Sequence, residues 1–362
     1  MRSIKVKLNK NSYSIIIGEN SLSKLTEKIN SLSITKCLLV IDKNVERYHS
    51  RFLRSVFAEL NCKTFKYIFI ATEHNKSLMQ AEKIYRFLSD NYFDRNSVII
   101  SIGGGITGDI SAFAASTFMR GINYFQVPTT LLSMVDSSVG GKTGVNFEKR
   151  KNLIGTFYQP NGVYINGGFL KSLPKKEILS GAGEIFKYAF IADEKNYNLL
   201  KNNLKKITQN LEFNYEETIQ SCLKIKSNVV SQDEKEITGL RKILNLGHTF
   251  AHAFEAQSNY RLKHGEAVVG GIFSALFLSE NLGYITTKQL NIFINDFQFF
   301  KLNQILNNLD NENIYQSMLG DKKNLSGKIK LVLLEDVGKI IVDVAADKSA
   351  IIDSIKKMKT LI

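Results

Sequence analysis

Glu184, Lys187, His248, His252 and His264 carry the densest reactive chemistry in this 362-residue chain. Five histidines occur, at 49, 74, 248, 252 and 264, so three of them fall within a 17-residue stretch. The segment Leu246-Gly247-His248-Thr249-Phe250-Ala251-His252 sets two imidazoles four positions apart, which is one face of a helix. Two imidazoles at that spacing suit a divalent metal. A carboxylate from Glu184 or Glu266 would complete a three-ligand catalytic site with an open position. On spacing alone, His248 and His252 are the ligand pair. The competing reading is structural, with one histidine packing or capping and the other solvated.

A second candidate is the run Val98-Ile99-Ile100-Ser101-Ile102 followed by Gly103-Gly104-Gly105-Ile106-Thr107-Gly108-Asp109. It reads as a strand, a glycine turn and a helix N-terminus, where free backbone N–H groups favour a pyrophosphate. Such a cluster equally serves only to close a tight turn. The usual dinucleotide fingerprint lies in the first strand-to-helix turn, with an acid about 20 residues later. Here the turn follows a later strand, and Phe125 to Thr129 holds no acid. Asp42, after the apolar run ending at Ile41, is placed either to accept from a ribose or to cap a helix beginning near Asn44.

These residues need elements to position them. Ser3 to Leu8 and Tyr13 to Ile17 alternate around a polar turn and predict a hairpin. Apolar runs at Cys37 to Ile41, Tyr67 to Ile70, Val98 to Ile102 and Phe125 to Val127 are separated by helical patterns at Val45 to Leu60, Leu78 to Leu88 and Ile110 to Phe118. That alternation predicts a buried parallel sheet. After Pro174 the period becomes helical, over Lys175 to Thr208, Tyr215 to Ser231, Ile243 to Gln257, Glu266 to Asn281 and Thr287 to Phe299. A late hairpin across Asp336-Val337-Gly338 and a closing helix from Ser349 follow. The fold class is therefore an α/β domain at 1–173 and a mainly helical domain at 174–362.

Composition narrows the partners. With 44% apolar and 23% charged residues, the chain has a globular balance. Its best apolar run, Ala267 to Ser279, is too short to span a bilayer, so no membrane partner is expected. The start, Met1-Arg2-Ser3-Ile4-Lys5, lacks a secretory pattern, and Cys37, Cys62 and Cys222 lack disulfide or C-x-x-C spacing; both point to the cytoplasm and reduced thiols. The net charge of +14, from 48 basic and 34 acidic residues, favours anions. The lysines are scattered with no aromatic stripe, which favours a phosphorylated small molecule over nucleic acid.

The stretch from Gln126-Val127-Pro128-Thr129-Thr130-Leu131-Leu132 through Asp136-Ser137-Ser138-Val139-Gly140-Gly141-Lys142-Thr143-Gly144-Val145-Asn146 resembles the signature of 3-dehydroquinate synthases. The glycine turn, Lys151-Asn152-Leu153-Ile154-Gly155, Gly183-Glu184-Ile185-Phe186-Lys187, Gly239-Leu240-Arg241, Leu244-Asn245-Leu246-Gly247-His248 and His264-Gly265-Glu266 extend the likeness in order along nearly the whole chain. The resemblance implies a Rossmann-like first domain and a helical second one, with NAD and a divalent metal, zinc or cobalt. It implies the conversion of 3-deoxy-D-arabino-heptulosonate 7-phosphate to 3-dehydroquinate and phosphate. The steps are transient oxidation by NAD, phosphate elimination, reduction, ring opening and an intramolecular aldol closure, as in the shikimate route to aromatic amino acids.

The same resemblance implies site residues. Glu184, His248 and His264 would hold the metal, with His252 moved to the substrate phosphate. Asp42, Glu73, Lys76, Gly105, Asp109, Thr129, Thr130, Lys142, Lys151 and Ser172 would hold NAD. Arg120, Asp136, Lys142, Asn152, Lys187, Lys226, Arg241, Asn245, His252 and one of Lys322 and Lys323 would contact substrate, with Lys142, Lys187, Lys226, Arg241 and His252 the catalytic set. Arg120 would reach the neighbouring subunit's site, implying a homodimer. One residue near Ile237 is extra relative to the family pattern. On a helix it would rotate what precedes it by about 100°, which bears on Lys226. The competing activities are another sugar-phosphate cyclase, a metal-dependent glycerol phosphate dehydrogenase and a silent NAD-binding protein. The residues Arg241, Asn245 and His252 favour the synthase.

Overall fold

The apolar runs of the first half become strands of one sheet in the computed structural model, which describes residues 1–148, 150–320 and 329–362. In chain order they and their neighbours are β1 (Arg2–Val6), β2 (Tyr13–Ile17), α1 (Ser21–Asn30), β3 (Lys36–Asp42), α2 (Lys43–Phe57), β4 (Lys63–Phe69), α3 (Leu78–Asp90), β5 (Val98–Gly103), α4 (Gly105–Thr117), β6 (Asn123–Pro128), β7 (Lys142–Phe147), β8 (Arg150–Phe157) and β9 (Gly162–Ile165). The seven-stranded sheet runs β1-β2-β9-β6-β5-β3-β4. It is parallel from β2 to β4, and only β1 is antiparallel, through the expected opening hairpin.

Burial explains the patterns. Every residue of β5 is buried, as helix cover on both faces of a parallel sheet requires, so it reads as a continuous apolar run. β4 lies at the edge and alternates instead, leaving Ile68 exposed. Leu38, Val40, Ile99, Ile110, Ala114 and Phe69 close the core beneath α3 and α4. β7 and β8 pair with each other in a separate antiparallel hairpin. Neither this hairpin nor β9 was predicted, because β7 and β8 mix polar with apolar residues without clean alternation and β9 has only four residues.

The second half forms α5 (Lys175–Ile191), α6 (Glu194–Thr208), α7 (Tyr215–Gln232), α8 (His248–Gln257), α9 (His264–Asn281), α10 (Thr287–Asp296), α11 (Asn311–Leu319), the hairpin β10 (Leu331–Asp336) and β11 (Lys339–Val344), and α12 (Lys348–Lys359). The stretch expected as one helix over 175–208 is two, because the Asp193 side chain accepts from Asn196 N at 2.8 Å and starts α6 afresh. The helix expected from Ile243 begins only at His248. Leu240–Asn245 is a tighter 3-10 turn, and Gly247 takes a left-handed φ of 75°.

Two compact units result, Met1–Pro174 with Tyr215–Lys235, and Lys175–Asn214 with Glu236–Ile362. The division thus departs from a single cut at 173/174, since α7 packs with the first unit. Its Gln220 accepts from Arg2 at 2.7 Å, and its Lys226 binds Asp136. In the second unit Phe186, Phe190, Phe293 and Phe297 pack edge-on or tilted with ring centroids 4.6 to 5.5 Å apart, forming an aromatic core around α5. No described helix is long and apolar enough to cross a membrane. The three cysteines are free thiols.

Candidate active site

In the second unit, glycines decide where the histidines go. A Cβ at Gly265 would lie 1.9 Å from Ser180 O, and one at Gly183 would lie 2.3 Å from Gly265 O. α5 and α9 therefore touch backbone to backbone, one residue away from Glu184 and His264. A Cβ at Gly271 would lie 2.2 Å from Gly247 O, so the start of α8, with His248, is pressed onto the same helix α9. Only glycine permits these approaches.

The result is a buried cluster. Ligand atoms of Glu184, His248 and His264 all lie within 4.8 Å of one another. Glu184 Oε1 is 3.3 Å from His248 Nε2 and 3.0 Å from His264 Nε2, while Oε2 pairs with the buried Lys187 ammonium. Glu184 is 1% exposed and Lys187 2%. Burial opposes the Glu184 charge, but the adjacent Lys187 ammonium holds its carboxyl well below the ordinary carboxylate range. His248 is pushed down to about 4, by burial first and then by Lys187 and His264 against the pull of Glu184. Burial also works against charge on His264, yet Glu184 and Glu255 raise it to about 10.

This donor set fits a divalent cation. His248 Nδ1–H donates to the Leu246 carbonyl at 3.2 Å. The neutral ring therefore turns its Nε2 lone pair toward Glu184 Oε1, an opposition that a cation between them converts into ligation. Glu255, also buried, faces His264 Nδ1 at 3.4 Å and holds the second ring with Nε2 toward Glu184. Glu255 was missed by sequence reasoning; its place three residues after His252 gives no sign of its contact with His264.

The spacing-based pair His248 and His252 does not converge. His252 lies one turn along α8, exposed, with its ring 5.7 Å from that of His248 and outside the ligand set. The alternative carboxylate is also resolved. Glu266 Oε2 accepts from Lys263 N at 2.9 Å and Oε1 from Asn303 at 3.0 Å, so it caps α9. Arg241 is buried and lies 3.5 Å from Glu236, and Asn245 ends the same 3-10 turn.

The first unit gathers a different set. Gly103 ends β5, Gly104 caps α4 and Gly105 opens it; a Cβ at Gly103 would meet Thr107 at 2.6 Å. Thr129 N donates to Gly103 O at 2.9 Å, bringing Thr129 and Thr130 beside the turn. Asp109 on α4 pairs with buried Lys76, whose ammonium also donates to Asn152 Oδ1 at 2.5 Å. Burial raises the Asp109 carboxyl, and Lys76 opposes the rise. Asp109 and Lys142 line one small recess with Gln126, Ser137 and Ser138, three residues not singled out in advance although all belong to the signature string.

Asp42 acts as the helix cap, its Oδ1 accepting from Asn44 N at 2.7 Å. Ser172 bonds His49 at 2.7 Å. Lys226 Nζ holds Asp136 twice, at Oδ2 (2.9 Å) and at the carbonyl (2.8 Å). The extra residue, Ile237, lies in the loop after α7 and is 82% exposed, so Lys226 keeps its helix position. Glu73 lies in the turn before α3, Lys151 on β8, and Arg120 at the end of a 3-10 turn with φ 68°. Lys322 and Lys323 lie outside the described residues.

Comparison with known proteins decides the lineage. Residues 66–180 match the 3-dehydroquinate synthase N-terminal model and 181–324 the C-terminal one. A 3-dehydroquinate synthase of Pelagibacter ubique is 46% identical over 351 residues, covering 93% of this chain and 94% of the relative. The chain belongs to the 3-dehydroquinate synthase family. Solved structures share the fold of this family member. A 2-deoxy-scyllo-inosose synthase in complex with carbaglucose-6-phosphate, NAD+ and Co2+ has a TM-score of 0.87 at 23% identity, covering 98% of this chain and 100% of its own. A 2-epi-5-epi-valiolone synthase from Streptomyces hygroscopicus with NAD+ and Zn2+ gives 0.85 at 22%, covering 98% of each chain.

Proposed function

We propose that this chain converts 3-deoxy-D-arabino-heptulosonate 7-phosphate to 3-dehydroquinate and phosphate, using NAD and a zinc or cobalt ion. The observation that carries the reading is the buried convergence of Glu184, His248 and His264 in a member of this family. When bound, the metal supplies Lewis acidity at a ring hydroxyl and NAD a reversible hydride acceptor.

The chain's own residues bind and orient. Glu184, His248 and His264 hold the ion. Lys187 and Arg241 present buried cations that suit the substrate's carboxylate and phosphate, with Asn245 and His252 completing that contact. Lys226 fixes Asp136 and leaves a charged pair to hydrogen-bond substrate hydroxyls. Lys142 and Asn152, on the β7–β8 hairpin, are assigned to the substrate as well. Asp42, Glu73, Lys76, Gly105, Asp109, Thr129, Thr130, Lys142, Lys151 and Ser172 cradle NAD, the glycine turn offering N–H groups to its pyrophosphate. Phosphate leaves as an eliminated group, so the reaction is that of a carbon–oxygen lyase. The division of labour is an NAD-binding first domain and a metal-binding helical second domain.

The test follows phosphate release with catalytic NAD, before and after chelation. Stoichiometric phosphate without lasting NADH, lost on chelation and restored by zinc or cobalt, is the expected result. Metal-replete protein that releases no phosphate rules the reading out.

The reading extends to a cytoplasmic homodimer in which Arg120 serves the partner's site. Met119, Arg120 and Gly121 have φ of 50°, 68° and 118°, a run of unfavourable backbone that turns Arg120 out to solvent, where it makes no ion pair among the described residues. Mixing inactive Arg120→Ala with inactive Lys187→Ala protein is expected to restore roughly a quarter of wild-type sites, through hybrid dimers. No recovery on mixing would place Arg120 in its own subunit's site.

A further inference from the structure

The β7–β8 hairpin and the loop before α3 are joined by one side chain that the proposed roles leave unused, Asn146. Its backbone N donates to Lys76 O at 2.7 Å. Its amide Nδ2 donates to Glu73 O at 3.1 Å and to Glu73 Oε2 at 2.9 Å. Its Oδ1 accepts from Asn152 N at 3.0 Å. Both amide hydrogens and one oxygen lone pair are thus used. The amide orientation is fixed by this network, because flipping it would set donor against donor at Asn152 and acceptor against acceptor at Glu73.

The residues it joins need holding. Asn152 has a φ of 49°, a left-handed conformation that asparagine tolerates better than most L-residues and that its contacts hold in place. It is gripped on one side by Asn146 and on the other by Lys76 Nζ, which also pairs with Asp109. Asn146 itself sits where the β7–β8 register shifts, between Val145 and Phe147, so the strand is locally free to aim its side chain at the loop rather than along the ladder. Glu73 is exposed and would otherwise be free to rotate.

We propose that Asn146 is a positioning residue that sets the cofactor-side pair Glu73 and Lys76 and the substrate-side Asn152 as one unit. The inference rests on the roles given to those three residues under the proposed function. It makes NAD affinity and substrate KM depend on a residue that touches neither ligand.

The two functions of the amide separate by chemistry. Asn146→Asp keeps an oxygen for the Asn152 N–H but replaces the donors to Glu73 with a second carboxylate, which repels it. Asn146→Ala removes both. Expected for Asn146→Ala is a rise of about tenfold or more in both the NAD dissociation constant and substrate KM, with metal content intact. Expected for Asn146→Asp is weakened NAD binding with KM within about threefold of wild type. A merely structural loss would lower the active fraction, and with it kcat, leaving both constants unmoved.

The double variant Asn146→Ala/Asn152→Ala should raise KM no further than Asn152→Ala alone. Unchanged NAD affinity and KM in Asn146→Ala, or additive effects in the double variant, overturn the proposal. Glu73→Ala, Lys76→Ala and Asn152→Ala are measured alongside. If these controls shift the constants and Asn146 variants do not, only the positioning role falls. If the controls do nothing, the roles given to Glu73, Lys76 and Asn152 fall as well.

Discussion

Glu184→Gln protein is expected to purify without bound metal and to release phosphate roughly 10³-fold or more slowly than wild type. The substitution keeps the volume of the side chain and removes its charge. It strikes two interactions together, since one carboxylate oxygen faces both histidine Nε2 atoms and the other pairs with Lys187. With both partners buried, removing one charge of the pair is destabilising, so the melting temperature should fall as well. Metal analysis by plasma mass spectrometry and a thermal melt separate the two effects. A variant that keeps one metal per chain and near-normal rate would show that Glu184 is not a ligand. Glu255→Gln is the graded companion. It leaves the three proposed ligands in place and loosens the grip on His264 Nδ1, so metal affinity should fall about 10- to 100-fold.

The second large effect is expected from a single methyl group. Gly265→Ala puts a Cβ 1.9 Å from the Ser180 carbonyl oxygen, and no rotamer change can relieve a clash with backbone. α5 and α9 must separate, at a cost of about 3 kcal/mol or more. Glu184 and His264 flank the contact, so the site opens with it. A displacement near 1 Å there costs about 10² in rate, and metal affinity should fall in step. Gly271→Ala, blocked by the Gly247 carbonyl oxygen at 2.2 Å, should behave alike through His248. Gly270→Ala is the control on the same helix. Its Cβ would meet Leu306 Cδ1 at 3.0 Å and the Phe254 ring at 3.5 and 3.7 Å, side-chain atoms rather than backbone, and alanine favours helix by about 1 kcal/mol. Stability and metal binding should be near wild type there. Equal behaviour at 265, 270 and 271 would refute the backbone-contact argument.

The sequence by itself determined the parallel sheet, because strands covered on both faces must be apolar throughout, as at Val98 to Ile102. It also determined the helical second half through the lengthened period. The lineage was legible too, in the long string from Gln126 to Asn146 and the segments in order with it.

The tertiary structure decided what periodicity cannot express. Spacing places His248 and His252 on one helical face, but ligation needs atoms to converge from three helices. That convergence depends on close approaches of Gly183 with Gly265 and of Gly247 with Gly271, residues 82 and 24 positions apart in the chain. It turned Glu266 into a helix cap and made Glu184 the partner of both rings. It moved α7 to the first unit, where Lys226 meets Asp136, since a helix pattern states which face is apolar and not which surface will cover it. The β7–β8 hairpin was hidden for the same reason. Its glycines and polar residues answer to neighbours far along the chain, as Asn146 answers to Glu73, and such contacts exist only once the chain has folded.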